Sequence, residues 1–269
     1  VPFFVFFLMY NLWSRYGRDP EKRPIAPRYE PPEGLTVSEA GALIDNRVDM
    51  RDVTSMIVDL AVRGYLRIRK EEGTKFLGFN LGGDTYEFEL RRGREEWGGL
   101  EAHEVLLMDA LFDGRVGDTV TTSDLKNRFY KDLPGIKNAL WKALVGHGMY
   151  RSRPDHVLAI WLVVAAVVGL GGAFFSGVAL AAVGIAPVTG VVAAVLSGII
   201  VAAFGVFMPA RTRAGTRRLE EVLGFEEFLD RVESDRFRRM ITGPEMFERY
   251  LPFAMAFGVC LLYTSDAAD

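Results

Sequence analysis

Residues 157–208 contain no Asp, Glu, Lys, Arg or His, and no other feature constrains the fold of this chain as strongly. A membrane-crossing helix needs about 20 apolar residues, so about fifty suffice for two spans and a tight turn. The expected spans are 157–181 and 188–208, with the turn at Gly184-Ile185-Ala186-Pro187, where Pro187 removes a backbone donor and Gly184 tolerates unusual dihedrals. The competing reading is a helix pair buried inside a soluble protein; so long an uncharged run favours a transmembrane α-helical hairpin.

Small residues recur at every fourth position, Ala165, Gly169, Ala173, Gly177 and Ala181 in the first span and Gly190, Ala194, Gly198 and Ala202 in the second. Lipid supplies no hydrophobic drive for helix pairing, so close backbone approach along such ridges is what joins spans. A transport path needs polar or ionisable groups at membrane depth, and the run offers only Ser176, Thr189 and Ser197. The hairpin therefore reads as an anchor. Arg151 and Arg153 precede it, Arg211, Arg213, Arg217 and Arg218 follow it, and its turn is uncharged. Cytoplasmic flanks carry the Lys/Arg excess, so the segments on both sides are expected in the cytoplasm, in a multi-pass protein of the cell membrane.

Residues 1–13, VPFFVFFLMYNLW, are too few to span a bilayer as a helix, and arginines follow where a signal peptide would have a small-residue cleavage site. They are expected to be the end of a transmembrane helix that begins before Val1. Residues 14–34 form a Pro-rich linker, expected to be extended and to hold the next domain off the membrane.

Residues 35–92 read as a winged-helix-like unit. Thr36 or Ser38 caps a helix through Leu43 and Ile44; Asp49 or Asp52 caps a second, with Val53, Met56, Ile57, Leu60 and Ala61 on one face. Gly64 stops it, and residues 65–69 and 85–90 alternate as strands. Residues 100–153 repeat the plan, with helices around Leu106 to Leu111, from Thr122, and from Ile136 to Gly148. The closing stretches 60–69 and 144–153 align, with Leu, Gly and two Arg coinciding without a gap. The expected fold class is thus an α+β membrane protein: two tandem winged-helix-like cytoplasmic units, the hairpin, and a cytoplasmic amphipathic helix over 211–250. That helix carries a stripe of Leu219, Val222, Leu223, Phe225, Phe228, Leu229, Val232 and Phe237 interrupted near Gly224. Residues 251–269 are left as an apolar tail from which no element is expected.

The chain resembles the family of predicted membrane proteins called domain of unknown function 2207. The stretches that carry the resemblance are Gly17-Arg-Asp-Pro20, Tyr29-Glu-Pro-Pro-Glu-Gly34, Asp59-Leu-Ala-Val-Arg-Gly-Tyr-Leu66, Gly224-Phe-Glu-Glu-Phe228 and Leu251-Pro-Phe-Ala254. It implies a bacterial or archaeal membrane protein with an extracytoplasmic β-rich domain before the first span, and it implies no activity.

Winged helices invite a DNA-binding reading, but residues 14–156 hold 23 basic against 24 acidic residues, which fails the basic-patch test. The presumed recognition helices balance Asp52 and Asp59 against Arg51 and Arg63, and offer Lys137 and Lys142. Glu101, His103 and Glu104 lie at i, i+2 and i+3, a spacing that does not aim three side chains at one point, so they read as surface charge at a helix start. Asp109 and Asp113 read as ordinary exposed charges, and Glu226, Glu227, Asp230, Glu233 and Asp235 as ion-pair partners of Arg231, Arg236, Arg238 and Arg239. Gly169-Leu-Gly-Gly172 lacks the Lys-Ser/Thr of a phosphate loop. A single cysteine, Cys260, excludes an intramolecular disulfide and thiolate-built zinc sites. The histidines (His103, His147, His156) lack metal-ligand spacing.

No enzyme, catalytic, cofactor or metal residues are expected, nor a small-molecule ligand. The expected partners are the lipid bilayer and a cytoplasmic protein, with nucleic acid disfavoured. The leading expectation is a membrane-anchored interaction or signalling scaffold; the alternative is a membrane-bound DNA-binding regulator.

Overall fold

The computed structural model describes residues 1–21, 23–71, 75–76, 79–80, 85–182, 188–232 and 244–259. In chain order the elements are α1 (Pro2–Leu12), α2 (Val37–Asp45), α3 (Met50–Val62), β1 (Leu66–Glu71), β2 (Lys75–Phe76), β3 (Phe79–Asn80), β4 (Thr85–Leu90), α4 (Ala102–Leu111), β5 (Thr119–Thr121), α5 (Thr122–Gly146), α6 (Pro154–Ala166), α7 (Gly172–Ala182), α8 (Val188–Val206), α9 (Arg213–Val232) and α10 (Pro244–Phe257). They form two compact units, one of residues 1–23 and 148–217, the other of 24–147 and 218–269.

The first, the apolar-helix unit, contains α1, α6, α7 and α8. A π-helical turn, Val167–Gly171, joins α6 to α7 into one apolar helix of 29 residues, Pro154–Ala182, and α8 supplies 19 more. Both are long and apolar enough to cross a membrane, and only 6% and 22% of their apolar windows are buried. A helix pair in a soluble core would bury most of that surface, so the exposure favours lipid as its surroundings. The expected turn at 184–187 lies outside the described residues.

Close approach occurs where small residues were expected, with one change of row. The backbones meet at Gly169 and Gly198: a Cβ on Gly198 would lie 2.7 Å from Gly169 Cα and 2.9 Å from the Ala165 carbonyl oxygen. Farther along, contact moves off the every-fourth row to Gly172, facing Ala194, and to Ser176, facing Gly190. Each four-residue step advances about 40° beyond a full turn of a 3.6-residue helix, so a step of three restores the facing row. Toward the other end Gly205 faces Trp161.

Met9, Ala165, Val201 and Met208 form the core that includes α1, with the Phe6 and Phe204 rings edge-on at 5.5 Å. The π turn Trp13–Gly17 brings Gly17 against Met208. Tyr150 and Arg211 form an antiparallel bridge. The end of α1, the approach to α6 and the exit from α8 therefore lie at one end of this unit.

The second, the sheet unit, has a three-stranded antiparallel sheet in the order β1-β4-β5, with Leu66 opposite Leu90 and Phe88 opposite both Ile68 and Val120. The small β2-β3 pair joins Lys75 to Asn80. Local signals are obeyed: Thr36 and Asp49 are N-caps, each in a capping box with the acid three residues on, and Gly64 follows α3 at φ +77°. The division into tandem units is not what the packing displays. β5, from the second segment, completes the sheet begun by the first. One core contains Val53, Met56, Leu60, Leu66 and Leu90 together with Leu107, Met108, Leu111 and Ile136. The helices expected separately from Thr122 and from Ile136 are a single 25-residue α5 with Pro134 inside it. Leu125, Phe129 and Leu133 before the proline and Ile136 after it pack on that same core, which outweighs the lost hydrogen bond. Gly148 has φ +72°, matching Gly64, but Tyr150 beyond it bridges to Arg211 instead of starting a wing.

Two further readings change. The linker does not stand free: Arg28 N–H donates to the Gly224 carbonyl at 2.9 Å, and the Tyr29 and Phe228 rings meet at 5.1 Å. Residues 251–257 are not a tail, since they complete α10, which packs on α2 and α3 and buries Phe253, Ala256 and Phe257. Their apolar character is that of a core helix face. Residues 260–269 lie outside the described residues.

Candidate functional site

Three constellations unite chemistry-bearing side chains. The first is a partly buried polar cluster in the sheet unit, at the starts of α2 and α4 and the ends of α3 and α5. Thr36 Oγ1 lies 3.2 Å from His103 Nε2, and Thr36 N–H donates to Glu39 Oε2 at 2.8 Å. The other Glu39 oxygen is 3.1 Å from His147 Nδ1. Arg63 donates to Glu104 at 2.6 Å and to Asp59 at 3.0 Å. Burial pushes the Glu39, Asp59 and Glu104 carboxyls up, against the pull of His147 on the first and Arg63 on the others. Burial, with His147 and Arg63 nearby, pushes His103 down to about 4.

This corrects the reading of Glu101, His103 and Glu104 as surface charge: His103 is 0% and Glu104 1% exposed. Glu101 is the N-cap of α4, with Glu104 accepting from its N–H at 2.9 Å. A sequence cue existed in the capping-box spacing of Thr36–Glu39 and Glu101–Glu104. Nothing in the sequence brings the two helix starts together, so sequence alone does not group Thr36, Glu39, Arg63 and His147 with His103. The cluster ties helix ends together, with the carboxylates and His103 inside and His147 and Arg63 on its solvent edge, their side chains 36% and 32% exposed. Among the described residues, no group of three or more His, Cys, Asp or Glu could hold a metal ion. Asp109 pairs with Arg94 at 2.9 Å, and Arg231 donates to Glu227 at 2.8 Å; residues 233–239 lie outside the described residues.

The second constellation is the strap that residues 24–34 lay across α9. Gly224 is where it fits: a Cβ there would strike the Ala26 carbonyl oxygen. Phe225, fully buried, meets Tyr250 at 5.3 Å and Phe253 at 5.5 Å, and Tyr250 donates its hydroxyl proton to the Tyr29 carbonyl at 2.8 Å. The strap is flanked by two clefts. One, of about 500 Å³, includes Arg28, Tyr29, Glu30, Glu33, Arg218 and Glu221, with Arg218 donating to Glu221 at 2.8 Å. The other, of about 560 Å³, includes Ile25, Leu223, Glu226, Glu227 and Asp230. Both mix charge of either sign with apolar lining.

The third is a collar in the apolar-helix unit. Arg211, its side chain 5% exposed, is held bidentately by Asp19, with N–H to Oδ1 and Nη1 to Oδ2 both at 2.7 Å. Thr212 Oγ1 donates to the Gly148 carbonyl at 2.5 Å and its N–H to Met149 at 3.0 Å.

These constellations account for the stretches that are scattered in sequence. Gly17 and Asp19 belong to the collar; Tyr29, Gly224, Phe225, Phe228 and Phe253 belong to the strap; Asp59, Arg63 and Gly64 close α3. No match was found among curated proteins or among solved structures. The family model described as "Predicted membrane protein (DUF2207) C-terminal domain" matches residues 26–260. With most of its length matched, and with two apolar helices able to cross a membrane, the chain belongs to the DUF2207 family of predicted membrane proteins.

Proposed function

We propose that this chain is a multi-pass protein of the cell membrane that holds a protein-interaction or signalling module on the cytoplasmic side. The observation that carries the reading is the meeting of basic helix ends. Arg15 and Arg18 after α1, Arg151 and Arg153 before α6, and Arg211, Arg213 and Arg217 after α8 occupy one end of the apolar-helix unit. An arginine-rich end faces the cytoplasm, which puts both soluble segments there. The apolar-helix unit carries nine basic residues against three acidic, whereas the chain has 32 against 35. The sheet unit is therefore acidic. In this reading the sheet unit is the recognition module, and its partner is a protein that contacts the mixed-charge clefts beside the strap.

Electrophoretic mobility of the full chain with duplex DNA, at several salt concentrations, tests the reading against a membrane-bound DNA regulator. Weak, non-specific retardation that vanishes in moderate salt is expected of an acidic module. Tight, sequence-dependent binding with a steep salt slope would overturn the protein-interaction reading.

A further inference from the structure

The collar presents more arginine than its own carboxylates neutralise. Of the three acids in the apolar-helix unit, Asp19 is engaged by Arg211, and Asp155 by Arg153 at 2.6 Å; Glu21 is exposed. Arg15, Arg18, Arg151, Arg213 and Arg217 are also exposed, and among the described residues none of the five forms an ion pair. They come from three helix ends that the Tyr150–Arg211 bridge and the Gly17–Met208 contact bring together. Tyr16, 66% exposed, stands among them.

We infer that this arginine ring is a binding site for the headgroups of anionic phospholipids. The inference rests on the membrane-anchored reading, which sets these residues at headgroup depth. A guanidinium presents forked donors that match two phosphate oxygens, and it sheds water more readily than an ammonium. Arginines from separate helices converging at the cytoplasmic ends of spans are the arrangement that retains an anionic headgroup. The buried Asp19–Arg211 pair fixes the backbone from which the exposed arginines project. The acidic sheet unit offers an anionic surface no such attraction, so the preference belongs to the collar.

The test uses the full chain reconstituted in phosphatidylcholine vesicles holding a trace of spin-labelled phosphatidylglycerol or spin-labelled phosphatidylcholine. The immobilised fraction of each lipid is read by electron spin resonance. A several-fold preference for phosphatidylglycerol is expected at low salt, since each arginine near an anionic surface is worth a factor of up to about five. Replacing all five (Arg15→Gln, Arg18→Gln, Arg151→Gln, Arg213→Gln and Arg217→Gln) should bring the ratio close to one, while the five Arg→Lys replacements should keep most of it. Circular dichroism checks that both variants remain folded. Equal immobilisation of the two lipids by the native chain, or an unchanged ratio in the glutamine variant, overturns the site. Loss of preference in millimolar inorganic phosphate would assign the arginines to a soluble anion and equally overturn the lipid assignment. Failure of the membrane reading has its own signature: alkaline carbonate would strip the chain from the vesicles, and neither lipid would be immobilised.

Discussion

Asp52 and His103 are buried with opposite consequences for stability. Asp52 is 1% exposed; its Oδ2 accepts from Asp49 N–H at 2.8 Å, while Oδ1 lies against Gly41 without a hydrogen-bond partner among the described residues. Burial raises its pKa from 3.8 to about 7, so the folded state holds the proton more tightly than the unfolded chain. Its contribution is fully present below pH 3.8 and lost as pH rises through about 7. His103 runs the other way: lowered from 6.5 to about 4, it contributes above pH 6.5 and that contribution is lost as pH falls through about 4. Asp52→Asn should therefore gain on wild type by up to roughly 4 kcal/mol as pH rises across its window, and the deficit of His103→Asn should shrink on acidification by up to roughly 3 kcal/mol. Urea unfolding at several pH values measures both; curves that stay parallel to wild type would contradict the burial argument. The caps of these helices are legible in sequence because they are local. The burial of His103 is not, since it follows from one helix start docking on another.

At the scale of elements, the glycines of the apolar helices give an uneven prediction. Gly198→Ala would drive its Cβ into Gly169 and should cost about 1–3 kcal/mol, the usual range for overpacking. Gly169→Ala, whose Cβ would stand 3.4 Å from Gly198 Cα, should cost less. Gly171→Ala, with nothing within 4 Å of its Cβ, should be close to neutral. Thermal unfolding in detergent ranks the three, and equal effects would mean that the helices do not pair through this row. In the sheet unit, Leu60→Ala removes a fully buried side chain from the common core and should cost about 2–5 kcal/mol by urea midpoint. Helix and strand periodicity made α3, β1 and β4 readable from sequence alone. Two things escaped that reading because they depend on tertiary packing: β5 joining β4 across the segment boundary, and α5 running through Pro134.

Across the molecule, residues of the stretches that carry the resemblance sit at packing contacts. Gly224 meets the Ala26 backbone, the Tyr29 and Phe228 rings meet edge-on, and Asp19, which precedes the matched residues 26–260, holds the buried Arg211. Gly224 and the Asp19–Arg211 pair hold backbone in place in their respective units whatever those units bind, so contacts of this kind are silent about activity. The apolar hairpin was legible because composition alone determines it. The strap and α10 were not, because a proline-rich linker and a short apolar run acquire meaning only from what they pack against. Tyr250 and Gly224 join strap to helix, so each holds information that neither local segment carries.

The central claim is that the basic helix ends and the sheet unit share the cytoplasmic side while the start of α8 faces outward. Thr189 and Ala214 are both exposed, whereas Thr216 is 2% exposed and would resist labelling for reasons of burial alone. On a Cys260→Ser background, Thr189→Cys in intact cells should react with a membrane-impermeant thiol reagent. Ala214→Cys should react only after the membrane is permeabilised. Labelling of Ala214→Cys but not Thr189→Cys in intact cells, or of both, would contradict the account.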